Sequence, residues 1–272
     1  MKKNTICVVI PVYIGTKVDS FLSAFYSIIH QTYSADEIII VCDGSISPIL
    51  EKTIKELANI YSNIIIISYD VNRGPGYARD IAIKKTNCHY IAIMDSDDES
   101  TLDRLYEQFE FMEKNKNIAL CGGLIKEYNS TNTSSIRKVP LSNYDIKKNI
   151  TLKSPINNVT AFFRKVDYIE TGGYPHIRSS EDYALWCRFV AHNKEMVNLN
   201  SVLVNVSFDT DTLSRRKGIQ HFKNDLFTQN EMLASNLITK KRYFINIFKY
   251  FIFRCILNDS MKKIAYKFFL RN

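Results

Sequence analysis

The sequence predicts an α/β protein built on a mostly parallel sheet with helices on both faces. Three observations predict it. Strand-like and helix-like segments alternate through the first half of the chain. The strand-like runs are continuously apolar and β-branched rather than alternating, the pattern of strands buried on both faces. Strand, helix, strand at this rhythm favours parallel crossovers over hairpins.

Ile6–Val12 opens the series as a β-branched run containing Pro11 near its end, and Phe21, Leu22, Phe25, Ile28 and Ile29 give Asp19–Gln31 a helical spacing. Glu37–Cys42 is the second strand, stopped by Asp43-Gly44-Ser45, and a helix is expected over roughly 47–60. Ile64–Tyr69 is the third strand; Asn72-Arg73-Gly74-Pro75-Gly76 is a turn that starts a helix running to about Lys85. His89–Met94 forms the fourth strand and ends at Asp95-Ser96-Asp97-Asp98. Beyond this point a helix is expected over Leu102–Lys114 and a strand over Ile118–Ile125, then a polar loop over Asn129–Ser135. Further strands are expected over Asn158–Arg164 and Met196–Val206, with helices over Glu181–His192 and Asn224–Leu237. In such sheets ligands bind beyond the carboxyl ends of the strands. Pro11-Val12-Tyr13, Asp43-Gly44-Ser45 and Asp95–Asp98 all follow such ends, so one crevice is expected to gather them.

The chain has 272 residues, 46% hydrophobic and 24% charged, which suits a sizeable globular core. Its net charge of +8 is unevenly placed: from Lys240 to Asn272 nine Lys or Arg stand against one acid, Asp259, so the preceding body is near neutral. Any polyanionic partner is therefore expected at the C-terminal tail. There basic residues interleave with Tyr243, Phe244, Phe248, Tyr250, Phe251, Phe253, Tyr266, Phe268 and Phe269, the composition of segments that lie on anionic membrane surfaces. Packing of these aromatics onto the body is the second reading, and nucleic acid is not expected as a partner. Six cysteines lie scattered, with no C-x-x-C pair, so free thiols in a reducing compartment are expected. The apolar part of the N-terminus is too short for a signal peptide, and no long uncharged apolar run predicts a spanning helix. A cytoplasmic location is expected.

Three carboxylates within four residues repel one another unless a cation or donors compensate. Hard Mg²⁺ or Mn²⁺ bridged to phosphate suits such oxygens; a solvated turn with Asp98 or Ser100 capping the next helix is the bland alternative. An EF-hand loop is excluded, because Ser100 and Tyr106 stand where it needs Gly and Glu. A dinucleotide fingerprint is excluded by Pro11-Val12-Tyr13-Ile14-Gly15-Thr16 after the first strand.

Eight ordered motifs then carry a resemblance: Val8–Tyr13, Ser27–Tyr33, Val41–Ser45, Asn72–Gly74, Ala78–Asp80, Met94–Asp98, Gly172–Tyr174 and Glu181–Trp186. Together, over about residues 5 to 205, they resemble family 2 glycosyltransferases of the GT-A fold, a Rossmann-like, mostly parallel sheet. The resemblance implies a glycosyltransferase domain over 1–215, with a nucleotide-sugar half (1–100) and an acceptor half (101–215), followed by a basic, aromatic, helical C-terminal region (216–272). It implies that Pro11, Val12, Tyr13 and Asp43 line the base and ribose pocket, with Arg79 at the nucleotide end. Asp95 would face the ribose, with Ser96 beside it in the nucleotide-sugar site; Asp97 would hold Mn²⁺ or Mg²⁺ with Asp95 beside it and Asp98 supporting; and Asp182, with neighbouring Glu181, would be the general base. Cys42 departs from the family, which often carries Asp or Asn there. The implied reaction is inverting transfer of a hexose, glucose or galactose by default, from a UDP-sugar to a polyprenyl-diphosphate-linked saccharide in O-antigen or capsule assembly, at the inner face of the cell membrane. Two rivals are a nucleotidyltransferase-type enzyme, which would want a glycine-rich basic loop after the first strand, and a silent membrane-anchored binding module. Trp186 is expected in the core, His176, Arg178, His192 and His221 in structural or surface roles, and Arg215-Arg216-Lys217 in an exposed loop.

Overall fold

The computed structural model describes residues 4–128, 134–207 and 218–256. The first half follows the predicted rhythm: β1 (Ile6–Val12), α1 (Val18–Ile29), β2 (Glu37–Asp43), α2 (Pro48–Ile60), β3 (Ile64–Tyr69), α3 (Pro75–Lys85) and β4 (Tyr90–Ile93). β1 pairs in parallel with both β2 and β4, and β2 with β3.

Side-chain alternation explains the continuous apolar runs. Ile6, Val8, Ile10 and Val12 of β1 join the core on one face of the sheet, with Ile38, Ile40 and Phe25. Cys7 and Val9 join the core on the other, with Ile39, Val41 and Ala82. Each of these strands therefore buries both faces, and each fully buried aliphatic side chain contributes about 1.5–3 kcal/mol.

The second half is less regular. It runs β5 (Glu99–Ser100), α4 (Arg104–Lys114), β6 (Ile118–Tyr128), β7 (Ser134–Arg137), α5 (Asn143–Asn149), β8 (Phe162–Arg164), α6 (Lys165–Glu170), α7 (Glu181–Ala191), β9 (Glu195–Ser207), α8 (Ile219–Ala234) and α9 (Lys240–Phe251). The nine-stranded sheet has the order β3-β2-β1-β4-β8-β6-β9-β5, with β7 paired to β6. β8 is antiparallel to both neighbours, whereas β6 and β9 are parallel.

Several sequence expectations are corrected here. The strand expected over Asn158–Arg164 begins as a 3₁₀ turn at Asn158–Thr160, and only its last three residues pair. Thr160 causes this: its hydroxyl donates back to Asn157 O, and its backbone NH does the same. The end of the expected polar loop, Ser134–Ser135, belongs to β7, whose side chains are exposed. α4 is preceded by Asp103 with no side-chain cap, so neither Asp98 nor Ser100 caps it. Arg215–Lys217 and the end of the tail lie outside the described residues. Among the described residues no helix is long and apolar enough to cross a membrane.

Candidate active site

Adjacent parallel strands β2, β1 and β4 bring Asp43, Tyr13 and Asp95 to one edge of the sheet. Tyr13 NH donates to Thr16 Oγ1 at 3.1 Å, and that hydroxyl lies 3.4 Å from Ser96 Oγ. The turn after β1 thus touches the acidic turn after β4. Tyr13 is exposed, whereas Ser96 is buried.

Asp43 is buried and organises the next turn. Its Oδ1 accepts from Arg73 NH at 2.7 Å and from Tyr69 OH at 2.9 Å, while Oδ2 accepts from Gly74 NH at 2.9 Å. Gly44 allows this approach: it sits at φ +78°, and a Cβ there would lie 2.7 Å from Asn72 N.

Arg79 is the hinge of the site. Projecting from α3 and buried, it donates at 2.7 Å to Asp95 Oδ1 and at 2.8 Å to Glu181 Oε1 of α7. Burial opposes its charge, but Asp95, Tyr174 and Glu181 outweigh that and hold it protonated. Burial pushes the Glu181 carboxyl up; Arg79 opposes the shift, and the Asp182 charge adds to it. The ion pairs bind the acidic turn to the start of α7, so Asp182 sits one residue from a fixed point.

Within the acidic turn the carboxylates differ. Asp97 is exposed and Asp95 partly so, while Asp98 is buried. Burial, with the Asp95 and Asp97 charges, pushes the Asp98 carboxyl up to about 9. Beneath the turn lies fully buried Arg104, donating to Ile93 O at 2.8 Å and Ser100 Oγ at 3.0 Å, with Nε to Gln108 Oε1 at 3.1 Å. Burial draws its guanidinium down to about 10. Sequence reasoning missed Arg104 and Gln108, although a polar pair at i and i+4 on the face that also carries Leu105, Phe109 and Met112 was the available signal.

The remaining candidates fall as follows. Pro11 and Val12 close β1, with Val12 in the core. Cys42 is buried beside Val12. Trp186 is fully buried in the core, as expected. His176 pairs with Asp80 at 2.9 Å, and Arg178 donates to Asn72 O at 2.7 Å.

Among the described residues no three His, Cys, Asp or Glu are arranged to hold a metal by themselves. An exposed and a partly exposed carboxylate two positions apart do suit Mg²⁺ or Mn²⁺, which binds one or two carboxylates and completes its shell with substrate phosphates and water. The donor set fits a metal shared with a diphosphate.

The sheet has the GT-A form, with an acidic turn tied to a carboxylate-bearing helix start, and the comparisons give it a family. Residues 7–173 match the family described as Glycosyl transferase family 2. The amylovoran biosynthesis glycosyltransferase AmsE of Erwinia amylovora is 30% identical over 247 residues, 91% of each chain. The UDP-Gal:alpha-D-GlcNAc-diphosphoundecaprenol beta-1,3-galactosyltransferase of Escherichia coli is 31% identical over 256 residues, covering 92% of this chain and 91% of its own. Among solved structures, S. aureus TarS 1-349 in complex with UDP-GlcNAc superposes with a TM-score of 0.67 at 16% identity, covering 97% of this chain and 73% of that one. The chain belongs to glycosyl transferase family 2.

Proposed function

We propose that this glycosyltransferase moves a hexose from a UDP-sugar, with inversion, to a polyprenyl-diphosphate-linked saccharide in bacterial surface polysaccharide assembly. The observation that carries the reading is Arg79 bridging Asp95 and Glu181, which sets the donor-side turn against the helix that begins with Glu181-Asp182. The names of the relatives support the substrate class, since one acts from UDP-galactose on a diphosphoundecaprenol-linked sugar.

Pro11, Val12, Tyr13 and Asp43 with its turn form the base and ribose side, and Ser96 and Asp95 the ribose and phosphate side. Asp97, with Asp95, would hold Mn²⁺ or Mg²⁺, which stabilises charge on a departing diphosphate. Asp182 accepts the proton of the attacking acceptor hydroxyl, a weak nucleophile until that proton leaves. Glu181 is held by Arg79 and stays fixed beside it.

The C-terminal region supports a peripheral position on the inner face of the membrane. α9 packs through Asn246, which donates to Gln229 Oε1 at 2.8 Å, and through Tyr243, whose OH donates to Asn230 Oδ1 at 2.7 Å. Phe244 and Phe248 are exposed away from that packing, beside exposed Lys240, Lys241 and Lys249, while Phe251 packs edge-on against Phe222 of α8. One face of the helix packs on the body, and the exposed aromatic and basic side chains are the support for the membrane reading of the other.

Calorimetry against UDP, GDP and dTDP, with and without Mn²⁺, tests the donor site: UDP is expected to bind most tightly, and only with metal. Equal binding of all three, or binding indifferent to metal, removes the assignment. UDP release from UDP-glucose and UDP-galactose with diphosphoundecaprenol-linked sugars then identifies the substrates.

A further inference from the structure

The two residues that lead into α7 are tied, one each, to two consecutive residues of α8. Asn224 Nδ2 donates to Ser179 Oγ at 2.8 Å, and Ser180 Oγ donates to Asp225 Oδ1 at 3.1 Å. Asp225 is buried and held in turn by Arg254, whose Nε donates to Oδ2 at 2.7 Å.

Ser180 is the N-cap of α7, with its carbonyl accepting from Ala184 NH, yet its side chain makes no capping bond. Its backbone is left-handed, at φ +61° and ψ +18°. An N-cap normally takes the extended region and uses its hydroxyl to cap the first turn. A left-handed backbone in a residue other than glycine persists only where surrounding contacts hold it. Here the hydroxyl is spent on Asp225 instead, and the next two residues are Glu181 and Asp182.

We propose that Asp225, fixed by Arg254, is a positioning residue: through the Ser180 hydroxyl it holds the left-handed turn that aims the start of α7, and with it Asp182. The proposal rests on Asp182 being the base. It also gives the C-terminal segment a part in the reaction, since Arg254 lies in the turn of helix after α9, at Ile252–Ile256. A continuous line of contacts runs Arg254–Asp225–Ser180, then along the backbone to Glu181, Arg79 and Asp95.

The test uses the full chain and the UDP-sugar and diphosphoundecaprenol-linked acceptor that give the fastest wild-type turnover. Ser180→Ala removes only the hydroxyl and keeps the Cβ that disfavours the left-handed turn. It is expected to lower kcat about 10-fold, with donor KM within about two-fold, because a small misplacement of a reacting group costs rate rather than ground-state binding. Asp225→Ala is expected to behave alike. Ser180→Gly in the Asp225→Ala background is expected to recover most of the lost kcat, because glycine takes the turn unaided. Amide hydrogen exchange over residues 180–184 is expected to quicken in Ser180→Ala and to slow again in the glycine double variant.

Unchanged kcat and exchange in Ser180→Ala overturns the proposal, as does failure of glycine to rescue a folded Asp225→Ala. If Asp225→Ala does not fold, Ser180→Ala alone decides. Asp182→Asn separates the two claims: retained turnover there removes the base assignment, whereas exchange at 180–184 still reports on the turn.

Discussion

Arg79 of α3 donates to Glu181 of α7 at 2.8 Å, joining residues 102 positions apart in a buried ion pair. The same guanidinium holds Asp95, so one cation serves carboxylates from two separate elements, the turn after β4 and the start of α7. Removing it strands two partly or fully buried carboxylates, and breaking such a pair typically costs about 3–5 kcal/mol. Arg79→Ala is therefore expected to lower the thermal midpoint by many degrees and to abolish UDP binding. Arg79→Lys, which keeps the charge but not the fork, should recover folding and little of the binding. Calorimetry and thermal unfolding of the pair check this.

Asp182→Asn keeps the size and the helix start but removes the proposed proton acceptor. Turnover is expected to fall about 10²–10⁴-fold, the usual worth of general base catalysis, with UDP-sugar affinity unchanged. Single-turnover assays beside direct nucleotide titration separate the two effects. Turnover within a few-fold of wild type would move the base to another group.

Asp43 accepts from Tyr69 OH and from the backbone NH groups of Arg73 and Gly74. Asp43→Ala leaves these donors without that acceptor, at about 1–3 kcal/mol for each buried group. The expected result is a loss of stability in urea together with weakened UDP binding, because the 72–74 turn loses its anchor. A variant of unchanged stability would contradict the structural role.

These cases show what the sequence displayed. Strands β1, β2 and β4 were legible because each buries both faces, which forces unbroken apolar runs. Their ends marked the candidate site, and the acidic turn stood out by charge density alone. β8 was only half legible: a strand of three residues held between two antiparallel neighbours has too few positions to show a period. The setting of Asp225 was hidden for another reason. It is a charged residue held by Ser180 and Arg254, far away in sequence, and no local spacing records such partners.

Glu113 gives a pH dependence outside the site. Burial acts upward on it, but hydrogen bonds from Tyr90, Lys116 and Asn4 outweigh this and draw its carboxyl down to about 2. A depressed carboxylate stabilises the fold above its ordinary value of 4.5, and the contribution fades as pH falls from there toward about 2. Wild type is thus expected to exceed Glu113→Gln in stability near neutral pH, by a modest amount because the group is partly exposed and screened. The gap should close in acid. Denaturant midpoints of both proteins across this range check the sign, and a gap that widens in acid would refute it.

Gly76, in the first turn of α3, decides between two opposed effects. Alanine inside a helix is ordinarily favoured over glycine by about 0.5–1 kcal/mol. A Cβ at Gly76, however, would lie 2.8 Å from Pro175 O and 3.0 Å from the Glu181 side chain. The Pro175 oxygen belongs to the backbone and has little room to yield, so overpacking, typically about 1–3 kcal/mol, outweighs the helix gain. α3 and α7 would separate at the point where Arg79 reaches Glu181, disturbing Asp182 next to it. Gly76→Ala is expected to be less stable than wild type and slower in turnover, despite its better helix propensity. Thermal unfolding and steady-state assays decide it: a stabilised, fully active variant would mean that the close approach of α3 to Glu181 does not constrain the site.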